Sequence, residues 1–380
     1  MPAMRTSTNS RSVVVILACV GILAAITTIA QRYAFSTLAL DREAISSWVH
    51  GAGLYAYRAP VSHLGTAMSP PAALVMTPAA FLPIAVAGWL VALAGVAALG
   101  LALIVAIGPI AERYGRRTWP VVLAAGALAL TLEPVRATLG LGTLDLLVFG
   151  LITADIVALR RCSALRGLGI GLATALTGSA AFFVAYLLIS RQRRAALTAT
   201  GTALAAALIS LLIAPDETRA WFVEVLWRID RAGPIDATTN QSLAGVLARL
   251  YDASSTPVLL WMSFAVLLTA VGMVRARAAH TDGNEVAAFA LVGLTAAIAG
   301  PVSGTQELIW VLPAMLVLGD VAAGCRRSRR ARFTVAAVLL YLLFVLAPMW
   351  SLSGPFAANS FALALILLVN AMPWRDLTGS

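Results

Sequence analysis

Few side chains in this sequence can carry chemistry, and they fall in a handful of stretches. Asp41 and Glu43 stand in LALDREAISSWVHGAGLYAYR, followed by Trp48, Tyr55 and Tyr57. A carboxylate there suits a general base acting on a substrate hydroxyl. The plainer reading is an interfacial helix with an aromatic belt. Gln306 and Glu307 lie in PVSGTQELIWVLP. An ionisable group at membrane depth is a functional candidate, whereas at the interface a solvated loop charge explains it equally well. Asn240-Gln241-Ser242, in NQSLAGVLARL, fits an N-glycosylation acceptor, a helix cap and part of a binding site. Asn240 is read as the N-cap of a short helix ending near Arg249. Cys19, Cys162 and Cys325 form no disulfide framework, and His50, His63 and His280 have no zinc spacing. No metal and no cofactor are expected.

The elements that must position these residues are membrane helices. The chain is 60% hydrophobic and 12% charged over 380 residues, with a mean hydropathy of +0.89. A soluble domain is nearer half apolar and a quarter charged. Uncharged runs at 12–31, 84–108, 195–214 and 333–347 reach or approach the roughly 20 residues that cross a bilayer as a helix. The net charge of +10 comes entirely from 27 arginines, with no lysine. They cluster at 113–117, 160–166, 191–194, 275–277 and 326–332, just after apolar runs, as cytoplasmic loops do. The basic balance is therefore topology, and nucleic acid is not an expected partner.

With Arg5 and Arg11 holding the N-terminus inside, 12–31 crosses outward and 32–70 is the first outer loop. Residues 71–83, rich in proline, read as a broken or re-entrant segment. Crossings follow at 84–108 and 119–132, an outer turn at 133–142, and a return at 143–159. Arginines at both ends of 167–190 predict two half-helices meeting near Gly178. After 195–214 comes a second outer loop, 215–257, in which Trp221, Phe222, Val225 and Leu226 share one stripe of an amphipathic surface helix ending at Ala232-Gly233-Pro234. Further crossings fall at 258–274, 286–302, 310–323, 333–350 and 358–374. The expectation is one integral-membrane domain over 1–380, all-α, with about ten to twelve transmembrane helices. Asp155 and Asp320 lie near inner span ends, where flanking arginines can neutralise them. The remaining chemistry collects on the outer face.

These pieces in this order resemble the polyprenol-phosphate-mannose-dependent α-mannosyltransferases of actinobacteria, which are C-type integral-membrane glycosyltransferases. The resemblance covers most of 30–315. It rests on Asp41 just after the first span, Gly53-Leu54-Tyr55, Pro70-Pro71, Glu133-Pro134-Val135, the glycine turn opening a span that holds Asp155, the Tyr186…Arg191 exit, and Asn240-Gln241-Ser242-Leu243…Arg249. The chain is a divergent member. Gly142-Thr143-Leu144-Asp145 stands where the family has Gly-Gln-x-Asn. Ala175 and Gly178 replace a lysine and a proline, and Gln306-Glu307 replaces two histidines.

The resemblance implies transfer of mannose or a related sugar from a polyprenyl-phosphate donor to a glycolipid or lipoglycan acceptor. The site would face outward from the cytoplasmic (plasma) membrane, with Asp41 as general base. Arg136, Asn240, Gln241, Ser242, Arg249, Gln306 and Glu307 would bind substrate, and membrane lipid would surround the whole. The alternative is a catalytically silent homologue acting as a membrane partner or scaffold in cell-envelope glycolipid assembly. A transporter would need mid-span ionisable groups and an internal repeat, and the sequence has neither.

Overall fold

The computed structural model describes residues 6–228, 231, 233–252, 256–325 and 327–374, with the side chains of 6–19, 327 and 328 left aside. Arg5, Ala232 and Arg326 lie outside the described residues, as do the side chains of Arg11 and Cys19. Every regular element among the described residues is a helix, with no strand. In chain order the helices are α1 (Thr6–Tyr33), α2 (Ser36–Val49), α3 (Pro70–Ala80), α4 (Ile84–Arg113), α5 (Thr118–Ala129), α6 (Glu133–Leu141), α7 (Asp145–Arg160), α8 (Leu168–Leu176) and α9 (Ala181–Ile189). They continue as α10 (Arg193–Ile213), α11 (Pro215–Val223), α12 (Leu243–Leu250), α13 (Val258–Thr281), α14 (Glu285–Ala299), α15 (Val311–Gly324), α16 (Arg327–Leu346), α17 (Pro355–Ala358) and α18 (Ser360–Ala371).

Among the described residues, five helical stretches are long and apolar enough to cross a membrane: Ile84–Arg113, Arg193–Ile213, Val258–Thr281, Thr305–Gly324 and Arg329–Trp350. The pair α5 and α6, bent by 75°, makes a sixth if it is one span. The other expected crossings fall on shorter helices, including α14 and α18, or on α1, whose helix runs through 12–31. The protein is a multi-pass membrane protein.

Burial divides the helices into an inner and an outer set. Every residue of α14 from Val286 to Ala299 is buried, against α9, α13, α15 and α18. A helix apolar all round must sit in a core or in lipid, and here protein covers it. Asn284 starts it, its side-chain oxygen accepting the Ala287 amide at 3.0 Å. By contrast, α10 exposes Leu204, Leu208 and Leu212, and α13 exposes Leu259 and Val266. Those faces meet lipid. Small residues bring the helices together: a Cβ on Gly171 would lie 2.5 Å from the Ala199 carbonyl oxygen, so α8 and α10 touch backbone to backbone.

The structure refines several expectations. The half-helices at 167–190 are present as α8 and α9, joined by a 3₁₀ turn at Gly178–Ala180. The expected outer turn at 133–142 is instead α6, opened by Pro134 and ended by Gly142 in the left-handed region (φ 75°). Pro70 and Pro71 do not break their segment. They occupy the first turn of α3, where no amide hydrogen is needed, and the break falls at 81–83. The helix expected to carry the stripe of Trp221, Phe222, Val225 and Leu226 ends at Val223, and Val225 and Leu226 lie in a 3₁₀ turn. Asp155 is not neutralised by arginine. It accepts the Gly167 and Ile170 amides at 2.9 and 2.7 Å, capping α8. Asp320 does pair with an arginine, Arg113 on α4, at 2.9 Å.

Candidate active site

Asp41 sits in mid-helix on α2, three residues after Leu38 and four before Ile45, both fully buried. That spacing puts all three on one helical face. The face packs into a cluster containing Phe35, Leu54, Ala73, Met76 and Ala87. A carboxylate there is costly without a partner, and it has one: the Thr66 hydroxyl donates to Oδ1 at 2.6 Å. Burial pushes the Asp41 carboxyl up to about 6, against the lowering effect of the Thr66 bond. Gly142 fixes this helix from below. A Cβ on it would meet Leu38 at 2.8 Å, and its positive φ already requires glycine.

Ser69 extends the arrangement. Its hydroxyl caps α3 by accepting the Ala72 amide at 3.3 Å, and it reaches the carbonyls of Ala175 and Leu176 at 2.8 and 3.0 Å. The loop carrying Thr66 is thereby joined to the break between α8 and α9. One residue further on, Thr177 lines a cavity of about 30 Å³ with Ser179, Asp145 and Glu307. The cavity holds two carboxylates and no basic side chain. Its other walls include Phe149, Phe183 and Trp310, with ring centroids 4.8–4.9 Å apart. Asp145 accepts the Thr143 hydroxyl at 2.6 Å, and Glu307 lies near the Gly304 amide at 3.4 Å and the Ser303 hydroxyl at 3.5 Å. Gln306 folds its side chain over Gly304 at the same corner.

The Asn240-Gln241-Ser242 segment lies apart from this cavity's lining and is engaged with the fold. The N-cap of α12 is Ser242, whose hydroxyl accepts the Gly245 amide at 3.2 Å, and not Asn240. The Asn240 side chain packs against Gly245, but its oxygen is taken up by other amides. It makes an Asx turn onto the Ser242 amide at 3.2 Å and also accepts the Ser303 amide at 3.0 Å. Gln241 donates to the Thr238 and Ala358 carbonyls at 2.7 and 2.8 Å and accepts the Ala362 amide at 3.0 Å. Arg249 holds Asn359 Oδ1 through Nε and Nη2 and donates from Nη1 to the Ala237 and Asn240 carbonyls. Together they fasten the segment 237–249 to the α14–α15 corner and to the start of α18.

Arg136 is engaged elsewhere. It pairs with Glu133 at 2.9 Å and donates to the Val345 carbonyl at 3.1 Å. Fully buried Glu133 also accepts from Tyr33 at 2.6 Å and Trp350 at 3.1 Å, so one carboxylate joins α1, α6 and the end of the α16 stretch. Thr66, Ser69, Asn359 and the roles of Tyr33 and Trp350 are absent from the sequence reading. Each acts on a partner at least 25 residues away, which leaves no local mark, although Ser69 before Pro70-Pro71 also caps α3 and was legible in that role.

The family model for glycosyltransferase family 87 matches residues 69–303. The chain belongs to that family. Among curated relatives, a polyprenol-phosphate-mannose-dependent alpha-(1-2)-phosphatidylinositol mannoside mannosyltransferase of Mycobacterium tuberculosis is 31% identical over 59% of this chain and 52% of its own. The protein of the same name in Mycolicibacterium smegmatis is 34% identical over 56% and 50%. A polyprenol-phosphate-mannose-dependent alpha-(1-2)-phosphatidylinositol pentamannoside mannosyltransferase of the latter organism is 26% identical over 80% and 74%. The chain spans about half the length of the first two. No solved structure matches it. Within the family 87 segment lie Arg136, Asn240, Gln241, Ser242, Arg249 and Asp145, while Asp41, Gln306 and Glu307 fall just outside it. Asp145 and Glu307, two of the positions read from the sequence as departures, share a cavity, and Ser69 bonds the Ala175 carbonyl two residues before Thr177, which lines it.

Proposed function

We propose that this protein is a glycosyltransferase that moves mannose, or a related sugar, from a polyprenyl-phosphate donor to a glycolipid or lipoglycan acceptor. The site lies on the outer face of the cytoplasmic membrane, with the N-terminus inside. The observation that carries the reading is Asp41: a carboxylate on the inward face of α2, held by a single hydroxyl in an apolar surround. Membership of family 87 and the names of the relatives support the donor class.

In the proposed reaction the acceptor hydroxyl oxygen attacks the anomeric carbon. Asp41 takes the hydroxyl proton, and the bond to the phosphate oxygen breaks with its electron pair leaving on the polyprenyl phosphate. One displacement inverts the carbon. A general base of this kind contributes roughly 10²–10⁴-fold, most effectively when its pKa lies near the working pH. Asp41, at about 6, meets that condition. Asn240, Gln241, Ser242, Arg136 and Arg249 serve the substrate through the walls they brace. Gln306 and Glu307 form the floor where sugar hydroxyls would be met.

A second reading, a catalytically silent partner in glycolipid assembly, is favoured by one observation: the cavity lined by Thr177 carries Asp145 and Glu307 with no cation to receive a phosphate. Membranes from an expressing host, given radiolabelled polyprenyl-phosphate-mannose, separate the two. Transfer to glycolipid by the wild type and its loss in Asp41→Ala is the expected result. Well-folded protein that transfers nothing would favour the silent partner.

A further inference from the structure

If Arg136 and Arg249 are engaged within the fold, a leaving phosphate needs another counter-charge. Two arginines near Asp41 are placed to supply it. Arg231, in the second outer loop, is only 5% exposed. Its Nε donates to the Thr66 carbonyl at 2.6 Å, its Nη2 donates to the Tyr55 carbonyl, and its guanidinium lies 5.4 Å from the Tyr55 ring centroid. Nη1 has no protein acceptor among the described residues, yet it is not sealed from solvent. Arg58, in the first outer loop, is exposed and forms no ion pair among the described residues.

The two guanidinium groups flank one glycine. A Cβ on Gly65 would lie 2.8 Å from Arg58 Nη1 and 3.1 Å from Arg231 Nη2. Burial, and then the Arg58 charge beside it, hold Arg231 below the usual arginine range. The nearby acids are otherwise engaged: Glu224 pairs with Arg228 at 3.2 Å, and Glu217 accepts the Leu54 amide at 3.1 Å. Two like charges face each other across a residue with no side chain, and among the described residues no carboxylate pairs with either of them. Such a pair is unfavourable when empty and favourable around an anion, because guanidinium forks match phosphate oxygens.

We infer that Arg58 and Arg231, closing over Gly65, form a seat for a lipid-borne phosphate beside Asp41. The inference rests on the proposed transferase reading and names where its phosphate is held. The chemistry of a sugar phosphodiester requires this adjacency. The anomeric carbon is one oxygen away from phosphorus, so the phosphate seat and the base must serve neighbouring atoms. Gly65 and Thr66 are consecutive: the first separates the two arginines, and the second bonds Asp41. Either the donor or the acceptor lipid could bring the phosphate, and the two are separable by experiment.

The test uses the full chain in phosphatidylcholine nanodiscs, titrated in separate arms with a long-chain polyprenyl phosphate and with phosphatidylinositol, and read by native mass spectrometry. Arg58→Glu is compared with Arg219→Glu, which makes the same charge change at an exposed arginine on α11. Arg58 is exposed, so its variant should fold, and melting curves check this. Gly65→Ala, which displaces Arg58, and Arg231→Lys, which keeps charge but not the fork, complete the set. Arg58→Glu should weaken polyprenyl phosphate at least tenfold and Arg219→Glu less than twofold. Loss confined to the phosphatidylinositol arm would uphold the seat and assign it to the acceptor. Equal effects of the two glutamates, or none in either arm, would overturn it. Arg58-dependent binding without sugar transfer would keep the seat and sink the transferase reading, whereas transfer with Arg58-independent binding and KM would do the reverse.

Discussion

Thr66 donates its hydroxyl to Asp41 at 2.6 Å, and the same hydroxyl accepts the Met68 amide at 3.1 Å. The bond stabilises the ionised carboxylate, while burial disfavours it and prevails, leaving Asp41 at about 6. Transfer should therefore rise with pH through about 6 and level off above 7. Thr66→Val removes the stabilising donor, so its midpoint should move upward. A pH profile of initial rates that is flat between 5 and 8, or identical in Thr66→Val, would exclude Asp41 as the titrating base.

The same group makes a statement about folding. Its value in the folded protein lies above the ordinary 3.8, so the folded state holds the proton more tightly than the unfolded chain. Its favourable contribution is complete below about 3.8 and is lost as pH rises through about 6. Asp41→Asn, which can still accept from Thr66, should abolish transfer yet raise stability above pH 6 by on the order of 1–3 kcal/mol. The difference should close below pH 4. Melting curves of wild type and variant across pH test this, and a variant less stable at pH 7 would contradict it.

Gln241 should matter through the fold more than through substrate. Removing it by Gln241→Ala frees the Ala362 amide and the Thr238 and Ala358 carbonyls inside the protein. Leaving such groups without partners costs about 2–4 kcal/mol in all. The expected result is a lower melting temperature with the KM of the surviving folded enzyme little changed. A raised KM at unchanged melting temperature would place Gln241 in contact with substrate.

Glu133 anchors three donors from separate parts of the chain, namely Tyr33, Arg136 and Trp350. Glu133→Ala leaves Arg136 without its acid partner and should cost about 3–5 kcal/mol, the usual penalty for breaking a buried pair from one side. Glu133→Gln keeps an acceptor and should cost less. Denaturation of the two purified variants orders them, and equal stabilities would show the charge to be irrelevant.

Glu307→Gln should fold as well as the wild type. The amide oxygen can still face the Gly304 amide, and the cavity then holds one acid in place of two. A loss of more than about 2 kcal/mol on this substitution, beyond the usual range for a variant that keeps its partners, would mean that the charge itself holds the 303–307 corner together.

The membrane character was legible because it depends only on composition and run length. The α8–α9 pair was legible as well, since arginines at both ends of a short apolar run leave it one arrangement. The helix at 133–142 was hidden by Pro134, which looks like a breaker but sits at a first-turn position where the missing amide is harmless. The cap of α12 was misplaced by two residues because Asn240 and Ser242 are equally good caps in isolation. Ser303, 63 positions further on, decides by taking Asn240 for itself. The Arg58–Gly65–Arg231 grouping has no local signature, since its members come from two segments far apart in the chain and only the fold brings them together.

The short length of α14 has a consequence for depth. Fifteen residues rise about 22 Å, well under the roughly 30 Å of a bilayer's hydrocarbon core. A lipid-facing helix of that length would thin the membrane or tilt its neighbours. Sheathed by protein, α14 meets no lipid and incurs no such mismatch, so the bundle can be shorter at its axis than at its rim. At least one end of α14 is then sunk below the level of the surrounding headgroups. If the sunken end is the C-terminus, the Gly304–Glu307 corner that follows it lies below the rim, nearer to a group carried in by lipid than to one arriving from bulk water.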